Sequence, residues 1–329
     1  MTGQVSDYDL VTVGESMTQL TPRAGDRLRS AELLEVHTAG AESNVAVQLA
    51  RLGHRVCWIS RVGADVFGDR LLAEFGSAGV DVSMVRRQDT HPTGVYFKDS
   101  DGQQTRVLYY RKGSAASTVE PKDVAPVLER ARMVHLTGIT PALSESCRDT
   151  VEHVLDRTHA AEVSFDVNHR PALWSHLDDA ATGELLLSLA ARADVVFVGR
   201  DEADRLWGTE NAAAVRALLP KVPTLVVKDG DIGATSFGPA ETVFSPAPTV
   251  DVVEPVGAGD AFAAGYLSAR LRGLPEAARL RWGHLLAAVA LLSTADQVEL
   301  PSIGALTGLV ELDEDGWRGL RLGTDFLGA

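Results

Sequence analysis

Short β-branched runs alternating with longer stretches of helical period predict an α/β protein built on a mostly parallel sheet, covered on both faces. Leu10 to Val13, Val56 to Ser60, Met133 to Leu136, Val163 to Asp166, Val195 to Val198 and Leu225 to Lys228 read as buried strands. Between them, Ser43 to Leu52, Val66 to Ala78, Leu143 to Asp156, Gly183 to Ala191 and Ala212 to Leu219 read as helices. The rhythm breaks twice, at about 15–37 and about 91–112. In the second break Gly94 to Lys98 and Arg106 to Arg111 flank Asp101-Gly102, a hairpin signal. Both breaks are expected to form a small, discontinuous β lid inserted into a single domain spanning 1–329. From Pro255 the chain turns helical through Leu292, with a short irregular tail expected after it.

With 329 residues, 45% of them hydrophobic and 23% charged, the chain has the composition of a compact soluble protein. Its 31 basic and 45 acidic residues leave a net charge of −14, which argues against partners held by phosphate-backbone or anionic-lipid attraction. No nucleic acid or membrane partner is expected, and any bound anion needs a local site. The two cysteines, Cys57 and Cys147, form no CxxC pair and are expected to be buried free thiols. Met1 to Asp9 has no basic or apolar targeting pattern, and the longest late apolar run, Leu285 to Leu292, is far short of the ~20 residues a membrane span needs. A cytoplasmic location is expected.

Several common motifs are missing. Gly63 to Gly68 approaches a Walker loop, but Asp69 stands where the lysine belongs. The first strand ends in Gly14-Glu15-Ser16 rather than GxGxxG, and neither GxSxG nor HExxH occurs. The nine histidines lack ligand spacing.

The run Glu254-Pro255-Val256-Gly257-Ala258-Gly259-Asp260-Ala261-Phe262-Ala263-Ala264-Gly265 is a glycine-rich turn entering a helix of small residues. The first amides of a helix have no internal partner, and the helix dipole adds positive potential, so a phosphoryl group can bind there without a lysine. Asp260 would then stand beside that group, placed to take a proton from a substrate hydroxyl. The alternative is that Asp260 only caps the helix.

Through these residues the chain resembles the PfkB (ribokinase-like) sugar kinases, whose signature is a Gly-Ala-Gly-Asp turn entering a helix. Other family motifs follow in the family's order: Ala39-Gly40-Ala41-Glu42-Ser43-Asn44-Val45-Ala46, Leu49-Ala50-Arg51-Leu52-Gly53, Val62-Gly63-Ala64-Asp65-Val66-Phe67-Gly68-Asp69, Glu202, and Lys228-Asp229-Gly230-Asp231-Ile232-Gly233. The resemblance implies a three-layer ribokinase-like fold with a β-sheet lid, and ATP and Mg²⁺ as cofactors. It also implies an anion hole at Gly257, Ala258 and Gly259, with Asp260 as catalytic base. Lys228, Gly230 and Gly233 would line the ATP cleft, and Glu202 would act indirectly on the metal. Set against these roles, Lys228 could be a surface lysine at a strand end, and Glu202 a carboxylate at a helix start. Two departures stand out: Gly199 replaces the asparagine often found three residues before the glutamate, and Glu254-Pro255-Val256 replaces Asp-Thr-Thr. The second bears on the monovalent cation that some relatives use.

Alternation along Val107-Leu108-Tyr109-Tyr110-Arg111-Lys112-Gly113-Ser114-Ala115 puts Tyr109 and Arg111 on one strand face. Arg170, in Asp166-Val167-Asn168-His169-Arg170-Pro171-Ala172-Leu173-Trp174, follows a buried strand at its carboxyl end, where α/β sheets bind ligands. Two arginines from separate elements form a potential carboxylate clamp; their alternative is ordinary surface ion pairing. Within the family these segments resemble the 2-keto-3-deoxygluconate kinases. That resemblance implies substrate contacts at Gly40, Tyr96, Tyr109, Arg111, Arg170 and Asp296. Tyr96 as a core aromatic and Asp296 as a loop carboxylate are the competing roles. Gln19 replaces the ribokinase-type aspartate, which would repel a carboxylate, although Glu15 lies nearby.

The implied reaction moves the γ-phosphoryl group of ATP to the primary hydroxyl of 2-keto-3-deoxygluconate. The alternatives are 5-dehydro-2-deoxygluconokinase, fructokinase or ribokinase chemistry, or a sugar-acid-binding protein without catalysis. A homo-oligomer, a dimer or larger, assembled through the lid is a further expectation.

Overall fold

The computed structural model describes residues 6–23, 26–100, 105–156, 160–293 and 300–328. The chain starts in β1 (Tyr8–Val13), leaves for β2 (Met17–Pro22) and β3 (Leu34–Ala39), and returns through the helix Ala41–Arg51 to β4 (Val56–Ile59). A short pair, β5 (Arg61–Gly63) and β7 (Arg86–Gln88), brackets the helix Val66–Ser77 and β6 (Val80–Asp81). After these, β8 (Val95–Ser100) and β9 (Thr105–Tyr110) leave again. The remaining long strands are β10 (Ala131–Thr137), β11 (Glu162–Asp166), β12 (Val195–Gly199), β13 (Thr224–Asp229), β14 (Gly233–Phe237) and β15 (Thr242–Pro246).

Among the described residues the main sheet has nine strands in the order β15-β14-β13-β12-β11-β10-β1-β4-β6. Every pairing from β6 to β13 is parallel; β13, β14 and β15 close the edge as an antiparallel meander. Alternation sends Leu10 into one buried cluster and Val11 and Val13 into the other, as it does Phe197 against Val196 and Val198. Helices Ala41–Arg51, Ala258–Leu271 and Glu276–Leu291 supply Leu49, Tyr266 and Leu285 to the first cluster. Helices Glu145–Leu155 and Asp179–Ala190 supply Val151, Val154 and Leu186 to the second. The result is three layers, helix on sheet on helix.

A second sheet, ordered β3-β2-β8-β9, stands off the main one. β8 and β9 run antiparallel from Val95↔Tyr110 to Ser100↔Thr105, and the expected Asp101-Gly102 turn lies outside the described residues. Cys57 and Cys147 are buried free thiols. No helix among the described residues is long and apolar enough to cross a membrane.

The tail departs from expectation. Instead of an irregular segment it forms the helices Ile303–Val310 and Glu314–Arg318, then β17 (Arg321–Leu322), which pairs parallel with β16 (Thr249–Val250). Leu306, Trp317 and Phe326 are buried in the first cluster, and Trp317 Nε1 donates to Pro246 O at 2.9 Å. Packing against Glu276–Leu291 orders these short segments, in which Gly304, Gly308 and Gly316 weaken local helical propensity.

Candidate active site

The carboxyl ends of the parallel strands converge on the turn before the helix Ala258–Leu271. Val253 N donates to Leu291 O at 2.7 Å and anchors the approach. Gly257 then takes φ 87°, a left-handed conformation that glycine adopts without penalty, and serves as the helix N-cap. Its lack of a side chain leaves the first helical amides without a side-chain cap.

This turn is the wall between two cavities. Val256 and Asp260 face a cavity of about 190 Å³, lined also by Gly40, Tyr96, Tyr109, Arg111 and Arg170. Pro255, Ala258 and Gly259 face a second cavity of about 630 Å³, with Lys228, Gly230 and Gly233 on its polar side. Its remaining wall is largely apolar, from Val250, Phe262, Ala287 and Leu291.

Asp260 does not cap its own helix. Its Oδ2 accepts from Asn44 Nδ2 at 3.0 Å and its Oδ1 from Asn168 Nδ2 at 3.1 Å. Burial pushes its carboxyl above the usual range, while the Arg170 charge and the Asn44 hydrogen bond oppose the shift. The outcome is a carboxylate held in place by two amides, more basic than a surface aspartate and open to a cavity on one side.

Across the turn, Lys228 Nζ donates to Asp166 Oδ2 at 2.8 Å. Glu202, in the first turn of the helix Arg200–Trp207, accepts from Gly199 N at 3.1 Å and from His169 N. Burial raises its pKa, and the nearby Asp166 charge adds to the rise. Glu42 is fully buried, with Oε1 accepting from Thr137 Oγ1 and Thr140 Oγ1, each at 2.7 Å. Burial lifts its carboxyl to about 7.

The model of the pfkB family carbohydrate kinases matches residues 7–303 of the chain. The chain belongs to that family.

Among relatives, a 2-dehydro-3-deoxygluconokinase of Bacillus subtilis is 37% identical over 305 residues, covering 89% of this chain and 93% of that protein. A 2-dehydro-3-deoxygalactonokinase of Haloferax volcanii is 33% identical over 317 residues, covering 92% and 98%. The solved structure of a PfkB protein from Polaromonas sp. JS666 superposes with a TM-score of 0.80 at 37% identity, covering 86% of this chain and 95% of that one.

Of the residues singled out in this carbohydrate kinase, Gly40, Tyr96, Tyr109, Arg111, Arg170 and Asp260 meet at the smaller cavity. Lys228, Gly230, Gly233, Ala258 and Gly259 meet at the larger one. Gly257 shapes the turn, Glu202 stands behind Asp166, and Asp296 lies outside the described residues. Tyr96 is buried with Met17 and Ala39, its competing core role, and it also lines the cavity, with its hydroxyl donating to Gln19 Oε1. Arg111 sits over the Tyr109 ring, 5.6 Å from its centroid, and is ion-paired to Glu15.

Sequence reasoning missed Asn44, Asn168, Asp166, Glu15 and Lys98. The two asparagines and Asp166 sit inside the quoted motifs, but the asparagines' shared target, Asp260, and the Lys228 partner of Asp166 become visible only once the elements converge. Lys98 had a usable signal: two places after Tyr96 on a strand, it must share that residue's face, and it does line the smaller cavity.

Proposed function

We propose that the chain transfers the γ-phosphoryl group of ATP to the C6 hydroxyl of 2-keto-3-deoxygluconate (2-dehydro-3-deoxygluconate), giving the 6-phosphate. The observation that carries this reading is the turn itself, with Asp260 on the smaller cavity and the Ala258 and Gly259 positions on the larger. Acceptor and nucleotide then approach one phosphorus from opposite sides, the geometry that in-line transfer requires.

Asp260 accepts the hydroxyl proton as the O6–P bond forms and the bond from the γ-phosphorus to the bridging oxygen breaks. The turn amides hold the charge on the transferring group. Lys228 reaches toward the phosphates, and the apolar wall takes the base. Arg170, Arg111 and Lys98 face the substrate carboxylate, with Tyr96 and Tyr109 against its carbon chain.

Mg²⁺, when bound, neutralises phosphate charge. Among the described residues no cluster of three or more metal-ligating side chains exists. Mg²⁺ bound mainly through phosphates and water needs only one or two carboxylates. Asp166 fits, because its buried Oδ1 has no hydrogen-bond partner, and Glu202 would act behind it, indirectly. A monovalent cation is left aside; in the segment that replaces Asp-Thr-Thr, Glu254 Oε1 accepts from Val256 N at 3.3 Å. The reading includes a cytoplasmic setting and self-association through the lid, where Tyr110 is exposed.

An ADP-release assay with 2-keto-3-deoxygluconate, its galactonate counterpart, 5-dehydro-2-deoxygluconate, fructose and ribose tests the reading. Highest kcat/KM on a 2-keto-3-deoxy acid is expected; preference for a neutral sugar would refute it. The name of the Haloferax relative makes the galactonate acid the specific second candidate.

A further inference from the structure

We propose that Glu15 is a positioning residue that aims Arg111 into the smaller cavity, an inference that rests on the sugar-acid reading above. The chain crosses between main sheet and lid four times: after β1, after β3, before β8 and after β9. Glu15 stands in the first crossing and meets the other three. A Cβ on Gly40 would lie 2.4 Å from Glu15 O, so that position needs glycine, and one on Gly94 would lie 2.8 Å from Glu15 Oε1, which places the carboxylate against the third crossing. In the fourth crossing, Arg111 Nε donates to Glu15 Oε2 at 2.6 Å and Ser114 Oγ donates to Oε1 at 2.5 Å.

The Glu15 side chain is 0% exposed and that of Arg111 is 9% exposed, so the pair is largely removed from water. Glu15 engages Nε and Nη2 of the guanidinium, its lateral edge. Nη1 makes no hydrogen bond among the described residues, so the end-on edge is left for a ligand in the cavity that both residues line. Because Glu15 balances the charge of Arg111, this arginine acts by directed hydrogen bonds, and the net positive charge facing a substrate carboxylate comes from Arg170. The apparent conflict of an acid beside a carboxylate-binding pocket is resolved in this way.

Glu15→Gln tests the proposal, because orientation and charge predict opposite results. If Glu15 aims Arg111, KM for the sugar acid rises about tenfold or more, KM for a poor neutral acceptor moves far less, and kcat changes less than KM. If Glu15 only cancels charge, KM for the acid falls, and the proposal is overturned. An equal rise for both acceptors also overturns it. In a double-mutant cycle Glu15→Gln should add little to Arg111→Lys; additive losses would refute the assignment. Should Glu15→Gln fail to fold, Ser114→Ala loosens the same carboxylate. It should raise KM for the acid alone, and an unchanged KM there refutes the proposal. A wild-type chain that uses no sugar acid removes the functional reading together with this one; normal wild-type use with an indifferent Glu15→Gln removes this one alone.

Discussion

Asn168 and Asp260 are 92 residues apart in the chain, yet Asn168 Nδ2 donates to Asp260 Oδ1 across 3.1 Å. Asn168 has φ 39°, the one positive value at a non-glycine among the described residues, and asparagine is among the side chains that best tolerate that region. A less favourable backbone conformation is thus retained where it aims an amide at the proposed base.

Asp260→Asn should lower kcat at least ~100-fold while leaving acceptor binding largely intact. The variant should still fold, because the buried Asn44 Oδ1 lacks a partner and a flipped Asn44 amide can accept from the new side chain. Burial raises the Asp260 pKa, so the stability present with its neutral form is lost as pH rises through that pKa and the carboxyl ionises. Thermal unfolding at pH 7 should therefore show no loss of Tm. In the wild type, the acid limb of kcat/KM should lie above the ordinary aspartate range. Near-normal turnover in the variant would remove Asp260 as the base.

Glu42→Gln isolates a second buried acid. A carboxyl raised from 4.5 to about 7 contributes stability that is fully present below pH 4.5 and lost as pH rises through 7, on the order of 3 kcal/mol in total. Denaturant titrations should show the wild type weakening between pH 5 and 8 and the variant holding a flatter profile. Parallel profiles would mean that Glu42 is ionised in the fold throughout.

Arg170→Ala should raise KM for the sugar acid much more than for a neutral sugar, measured side by side. Arg170 is exposed and its Nη1 is only 3.5 Å from His169 O, so truncation should cost the fold little. Equal effects on both acceptors would exclude a carboxylate clamp.

Ala287→Phe places a ring in the larger cavity, whose wall Ala287 helps to form. KM for ATP should rise about tenfold or more while KM for the acceptor stays nearly constant. A shift in the acceptor KM instead would reverse the assignment of the two cavities.

The main strands and helices were legible because parallel strands buried on both faces leave long apolar runs, and Leu10 to Val13 or Val195 to Val198 fall inside observed strands. The Gly257 to Asp260 turn was legible because glycine spacing directly before a helix is a local property. Contacts made across the fold were not: Asn44 reaches Asp260 over 216 residues, and nothing near Asn44 in the chain announces that partner. For Arg111 both a clamp and an ion pair were open, but the partner Glu15 was not legible because it lies 96 residues away. The tail was misjudged because Trp317 draws its order from tertiary packing.

The two buried thiols have a practical consequence. Burial pushes Cys57 up to about 12 and Cys147 to about 11, so neither forms the thiolate that maleimide dyes attack at neutral pH. The native chain is therefore close to silent toward such reagents. Tyr110→Cys, at a position 66% exposed on the small sheet, would take a single fluorophore and report in real time whether that sheet swings when acceptor and nucleotide arrive.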